Sequence, residues 1–125
     1  MAVTHPTAVR TGVADFVVDQ LDEGTPPGTL VFQTSGDAEV ATLTLANPAF
    51  GAASNGIATA GTITADSSAT GGVIAKVRLK NAAGTDKIIG SVTATSGGGD
   101  IELNSVTVSA GQEVSVSSLT YEAPA

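Results

Sequence analysis

The 125-residue chain contains no cysteine and no tryptophan, and aromatic residues make up only 3% of it. Without cysteine there are no disulfides, no zinc–thiolate sites and no thiol nucleophile. Small secreted domains lean on disulfides, so this absence points to folding in a reducing cytoplasm. Lysine and arginine together number 5 against 12 aspartates and glutamates, for a net charge of −7. Neutralising phosphates takes clustered cations, so no nucleic-acid partner is expected. An acidic surface instead keeps a protein soluble at high copy number. No apolar run approaches the roughly 18 residues that span a bilayer. No charged segment followed by an apolar one marks a signal peptide. The expectation is a protein made in the cytoplasm, with no membrane partner.

What is present is small and aliphatic. Hydrophobic residues make up 42% of the chain, so a core forms, built from Val, Leu, Ile and Ala around Phe16, Phe32, Phe50 and Tyr121. The length suits one domain, residues 1–125. Residues 1–24 read as a helix lying on or beside a β-sandwich at 28–122. Thr4 is a candidate N-cap, Pro6 is tolerated in a first turn, and Gly24 with Pro26-Pro27 ends the helix. The spacing predicts a helix over residues 5–23. Val9, Val13, Phe16, Val17 and Leu21 form one apolar stripe, expected to be buried on the sandwich or against a neighbouring subunit.

Beyond residue 28, short Val/Ile/Thr/Ala runs alternate with Gly/Ser/Asn/Asp turns. Strands are expected at 29–34, 39–45, 57–65 (interrupted at Gly61), 73–80, 87–93, 101–108 and 113–122. In the fourth, Val73, Ala75, Val77 and Leu79 oppose Ile74, Lys76, Arg78 and Lys80. The fold class is mainly β: an antiparallel β-sandwich of about six to eight short strands with one N-terminal helix.

Little in the chain carries chemistry. His5, the sole histidine, has no nucleophile or companion ligand at a useful spacing. Asp37 with Glu39, and Asp100 with Glu102, are carboxylate pairs that offer oxygens to a hard cation. No calcium-loop pattern surrounds them. Gly97–Gly99 lacks the lysine and helix of a phosphate-binding loop, and no nucleophile elbow occurs. No catalytic, cofactor or metal residues are assigned, and no enzyme is expected. One charge feature stands out: Lys76, Arg78, Lys80 and Lys87 fall in one hairpin, the first three on a single strand face. Two readings stay open. The lysines protect an exposed sheet edge, or the stripe docks an acidic partner.

Three stretches, THPTAVRTGVADFVVDQL with the following GTLVF, VATLTLANPAFGAASNGIATA, and GGGDIELNSVTVSAGQEVSVSSLTY, cover most of the chain. In these the sequence resembles small β-rich structural virion proteins of tailed bacteriophages, including head decoration proteins. The resemblance implies a structural virion component, foremost a capsid decoration (cement) protein. Such a protein binds the major capsid protein lattice in many copies and stabilises the head. A neck or tail adaptor is the alternative, and a surface carbohydrate-binding module a further one, though sugar stacking favours aromatic platforms that this chain lacks. The residues themselves lead to the further expectations of no cofactor and of a homo-oligomer, since a small β domain gains stability by burying an extra face. The candidate interaction residues are Val9, Val13, Phe16, Lys76, Arg78, Lys80 and Lys87.

Overall fold

The computed structural model describes residues 3–24 and 27–123. Pro26, the first of the two expected helix-stopping prolines, lies outside the described residues. Helix α1 spans Thr7–Asp19 and runs into a 3-10 turn at Gln20–Asp22. It starts two residues later than the spacing predicts, and Thr4 does not cap it. Pro6 holds the N-cap position without a side-chain cap, and its carbonyl accepts the Val9 and Arg10 N–H groups at 3.0 and 3.1 Å. The cause is local: a residue before proline is pushed out of the helical region, so His5 cannot join the helix. Gly24, with φ 91°, ends the segment in the left-handed conformation expected of a terminating glycine.

The remainder is mainly β. The strands are β1 (Thr29–Gln33), β2 (Glu39–Thr44), β3 (Ile57–Thr59), β4 (Gly72–Val73), β5 (Lys76–Lys80), β6 (Asp86–Ala94), β7 (Ile101–Leu103), β8 (Thr107–Val108) and β9 (Thr120–Glu122). Five form one sheet in the order β2-β1-β5-β6-β7, while β3 pairs with β9 and β4 with β8 as two-stranded ribbons. The alternation in β1, β2 and β5 sends Leu30, Phe32, Leu43, Val77 and Leu79 to one face. There they join Val18 and Leu21 from the helical segment, Phe50, Ala58, Ile74 and Val108 in one apolar cluster.

Four expectations are corrected here. First, the strands are not all antiparallel, because β7 runs parallel to β6, with Val92 opposite Ile101 and Ala94 opposite Leu103. Parallel neighbours normally need a crossover of a dozen residues or more. Here the glycine-rich loop folds straight back over the strand end, and a Cβ at Gly97 would lie 2.6 Å from the Thr93 side chain. Second, the expected strand at 73–80 breaks. Val73 is paired in the β4–β8 ribbon, whereas the Ala75 N–H already bonds Gln33 O of the large sheet at 2.8 Å. The chain changes sheets at that point, so the alternation flips, leaving Ile74 buried and Val73 exposed. Third, the expected strands at 101–108 and 113–122 survive only as β7, β8, an isolated bridge at Val114 and β9. Nine short strands among the described residues therefore replace six to eight. Their Ser/Thr/Asn-rich connections carry few side chains able to hold a continuous ladder against the core.

The fourth correction concerns the helix stripe, and overturns its expected burial on the sandwich, not the alternative of burial against a neighbouring subunit. Ala14, Val18 and Leu21 are 0%, 1% and 0% exposed, whereas Val9, Val13 and Phe16 are 47%, 36% and 68% exposed. The helix is thus turned so that much of the expected stripe faces away from the chain's own core. Val17 is half-buried at the margin.

Candidate functional site

What turns the helix is the loop between β2 and β3, which brings backbone N–H groups to the helix. Asp22 Oδ1 accepts the Ala49 N–H at 2.9 Å, Asp15 Oδ1 the Ala53 N–H at 2.7 Å, and Thr11 Oγ1 the Gly56 N–H at 3.0 Å. Leaving buried backbone donors unpaired costs free energy comparable to a lost hydrogen bond. The inward face therefore combines the apolar Ala14, Val18 and Leu21 with the polar anchors Thr11, Asp15 and Asp22 that satisfy these donors. Arg10 adds a bond to the Ala123 carbonyl at 3.3 Å and lies 3.5 Å from Glu122. The outward result is an apolar row on α1: Val9, Val13 and Phe16, at i, i+4 and i+7.

The cationic stripe has a different fate. Lys76, Arg78 and Lys80 do share a face, but β5 lies between β1 and β6, so they guard no sheet edge. Edge protection is ruled out for these three by that position, whereas Lys87 lies on β6 outside the Val92–Ala94 stretch that pairs with β7. Instead the stripe is answered by the chain's own acids. Lys76 pairs with Asp37; Arg78 reaches Asp37 at 3.3 Å and Asp86 at 2.5 Å; Lys80 sits 3.0 Å from Asp86. The Arg78 Nε–H also donates to Gln33 Oε1 at 2.8 Å. Lys87 stands apart from the other three and pairs with Glu23 beside the helical segment at 2.9 Å. With Arg10 on Glu122, all five basic side chains of the sequence are engaged within the chain.

These pairs shift the acids. The Lys76 hydrogen bond and charge, with Arg78 behind them, hold Asp37 below the usual carboxylate range. Hydrogen bonds from Arg78 and then Lys80 do the same for Asp86, and Lys87 does so for Glu23. Asp66 is lowered by the backbone N–H groups of Thr42 and Ser68. Arg78 is raised in turn, chiefly by its bond to Asp86. Because each folded-state carboxyl is more acidic than its unfolded value of 3.8 or 4.5, its contribution is fully present above that value. It is lost as pH falls through the lower folded value. Melting temperatures should therefore stay nearly level from pH 7 to 5 as far as these groups are concerned, then drop at pH 3. Replacing both Asp37 and Asp86 with Asn should flatten that acid limb.

The remaining sequence candidates are satisfied internally. Glu39 accepts the Thr42 and Thr70 hydroxyls, and Asp100 accepts the Ser91 N–H at 2.9 Å. Glu102 takes the Ser96 and Gly98 N–H groups at 3.2 and 3.1 Å, so the glycine-rich loop wraps a carboxylate of its own chain. Among the described residues, no three His, Cys, Asp or Glu side chains gather as metal ligands. His5 is exposed. No described helix is long and apolar enough to cross a membrane. A shallow cleft of about 410 Å³ opens between the large sheet and the β3–β9 ribbon, lined by Val77, Leu79, Ile101, Leu119 and Tyr121 with Asp100 and Glu122 at its polar side. No family model matches this chain, and no curated protein or solved structure is significantly similar to it.

The structure separates the seven candidate interaction residues into two groups. Val9, Val13 and Phe16 form one exposed row, and the four cations are drawn into internal ion pairs. The sequence reading missed Asp37 and Asp86 as partners of the stripe, and Thr11, Asp15 and Asp22 as helix anchors. Asp86 had a local signal, since it opens the strand that returns beside Lys80. Asp37 had none, because it meets Lys76 only through the non-local pairing of β1 with β5.

Proposed function

We propose that this chain is a structural virion protein of a tailed bacteriophage, a capsid decoration protein that attaches to the major capsid protein lattice and stabilises the head. The observation that carries the reading is the exposed Val9, Val13 and Phe16 row on a body whose basic side chains are all paired with its own acids. A protein whose product is its surface needs a packed scaffold and a patch for a partner; the shared apolar cluster and the exposed row support that reading. The sequence resemblance supports the virion context, and the acidic charge suits a protein made in many copies. No cofactor or catalytic step belongs to this reading. In architecture we read the five-stranded sheet covered by the β3–β9 and β4–β8 ribbons as a small sandwich-type body, because all three contribute to one apolar cluster.

Counting copies in purified particles by quantitative mass spectrometry tests the reading. Hundreds of copies per particle are expected. A dozen or fewer would move the protein to the neck or tail, and absence from particles would overturn a virion role.

A further inference from the structure

The outward row of α1 does not stand alone. Asp19, exposed and one helical turn beyond Phe16, is the one helix carboxylate with no hydrogen-bond or ion-pair partner among the described residues; Asp15 and Asp22 hold loop N–H groups. The last turn of α1 carries no basic residue. No cation in that turn answers the negative end of the helix dipole, where the Gln20 Nε2–H donates to Phe16 O at 3.2 Å, and Asp19 adds to the negative charge. The apolar row thus terminates in a negative pole.

We propose that this surface is a helix-in-groove ligand whose occupant is a separate protein: an apolar groove, rimmed by Lys or Arg, receives Val9, Val13 and Phe16 while a rim cation meets Asp19. The inference rests on the virion reading for its setting and goes beyond it in naming the partner's chemistry. Charge decides between occupants. A second copy of this chain could bring a Lys or Arg to Asp19 only by breaking a pair that side chain already makes at home. Two copies, each at −7, would also bring like charge together. Area points the same way. Three side chains expose on the order of a few hundred Å², well short of the roughly 800 Å² per partner of a stable symmetric pair. A groove that encloses the helix gathers area from its walls, which a flat twin face does not. Phe16 supplies the aromatic anchor such grooves favour.

Three experiments test this. In the first, purified wild-type, Phe16→Ser and Asp19→Asn proteins are added to particles assembled without this protein, and bound copies are measured. Wild-type protein should load. Phe16→Ser, whose exposed position should leave folding intact by circular dichroism, should load at least tenfold more weakly. Asp19→Asn should weaken loading severalfold at 50 mM salt and hardly at 500 mM, where screening has removed the rim contact. Failure of the wild type to load would count against the virion reading. Equal loading of wild type and Phe16→Ser would overturn the groove proposal alone. The second experiment needs no particle: fluorescence anisotropy with two helical-hairpin peptides whose paired helices frame an apolar Leu groove, one rimmed by Lys and one by Glu. The Lys peptide should bind the wild type, lose at least tenfold on Phe16→Ser and weaken with salt. The Glu peptide should not bind. Equal binding of the two peptides, or Lys-peptide binding indifferent to Phe16→Ser, would contradict the proposed chemistry. Sedimentation equilibrium supplies the remaining outcome: a wild-type dimer that Phe16→Ser dissolves would show the face is covered by a second copy and overturn the proposal.

Discussion

Phe32→Ala should lower folding stability by about 3–5 kcal/mol, while Phe16→Ala should change it by no more than about 0.5 kcal/mol. Both are phenylalanines in regular elements, and the sequence pattern places both in the core. The structure distinguishes them. Phe32 is fully buried in β1, between β2 and β5, whereas Phe16 is 68% exposed on α1. Removing Phe32 deletes a large side chain from the centre of the apolar cluster and leaves a cavity that a three-stranded ladder cannot close. With a typical domain stable by about 5–15 kcal/mol, that loss is a large fraction of the total. Urea titrations of the two variants check it. A large loss in Phe16→Ala for the isolated chain would mean that the helix is turned the other way.

The second large effect is expected at Gly28, where the chain passes from the helical segment into β1. A Cβ built there would lie 2.3 Å from Lys80 O and 2.9 Å from Leu21 O. Both atoms are backbone, fixed by β5 on one side and the 3-10 turn on the other, so neither can swing away. The Gly28 carbonyl also receives the Leu45 N–H at 3.0 Å, so moving the residue would disturb β2 as well. Gly28→Ala should cost roughly 3 kcal/mol, the upper part of the range for forced overpacking. Gly12 provides the opposite case. It is exposed in the helix interior, and a methyl group added there would meet nothing within 4 Å. Gly12→Ala should therefore stabilise by about 0.5–1 kcal/mol through helix propensity. Thermal melts of the pair should move in opposite directions.

Much of the fold was legible in the chain, for local reasons. The N-terminal helix, β1, β2 and the β5–β6 hairpin follow from periodicity and turn residues, which act within a few positions. The helix's rotation was not legible. Apolarity alone favours Val9, Val13 and Phe16 as the inner face. The inner face is instead the one that buries Ala14, Val18 and Leu21 while Thr11, Asp15 and Asp22 meet backbone donors nearly thirty residues or more away, and no local pattern announces those distant donors. The change of sheet at Ile74 and the parallel return of β7 are likewise consequences of pairing between distant segments. The cationic stripe shows the same limit: period-2 geometry correctly put Lys76, Arg78 and Lys80 together, but their acids arrive from the β1–β2 turn and the next strand. For the candidate site, the residues Val9, Val13 and Phe16 were visible and their exposure was not.

The outward face of α1, and the proposal that a partner covers it on a particle, are directly measurable because the chain has no native cysteine. Single variants Phe16→Cys, Val13→Cys, Ala14→Cys and Val18→Cys can each carry the only thiol in the chain. Their maleimide labelling rates can then be compared in free protein and in protein bound to particles. The account predicts fast labelling at positions 13 and 16 and slow labelling at 14 and 18 in the free chain, with position 16 becoming protected on the particle. Fast labelling at 14 and 18 with protection at 16 in the free chain would contradict the helix orientation, and a position 16 that stays fully reactive on the particle would contradict its role in attachment.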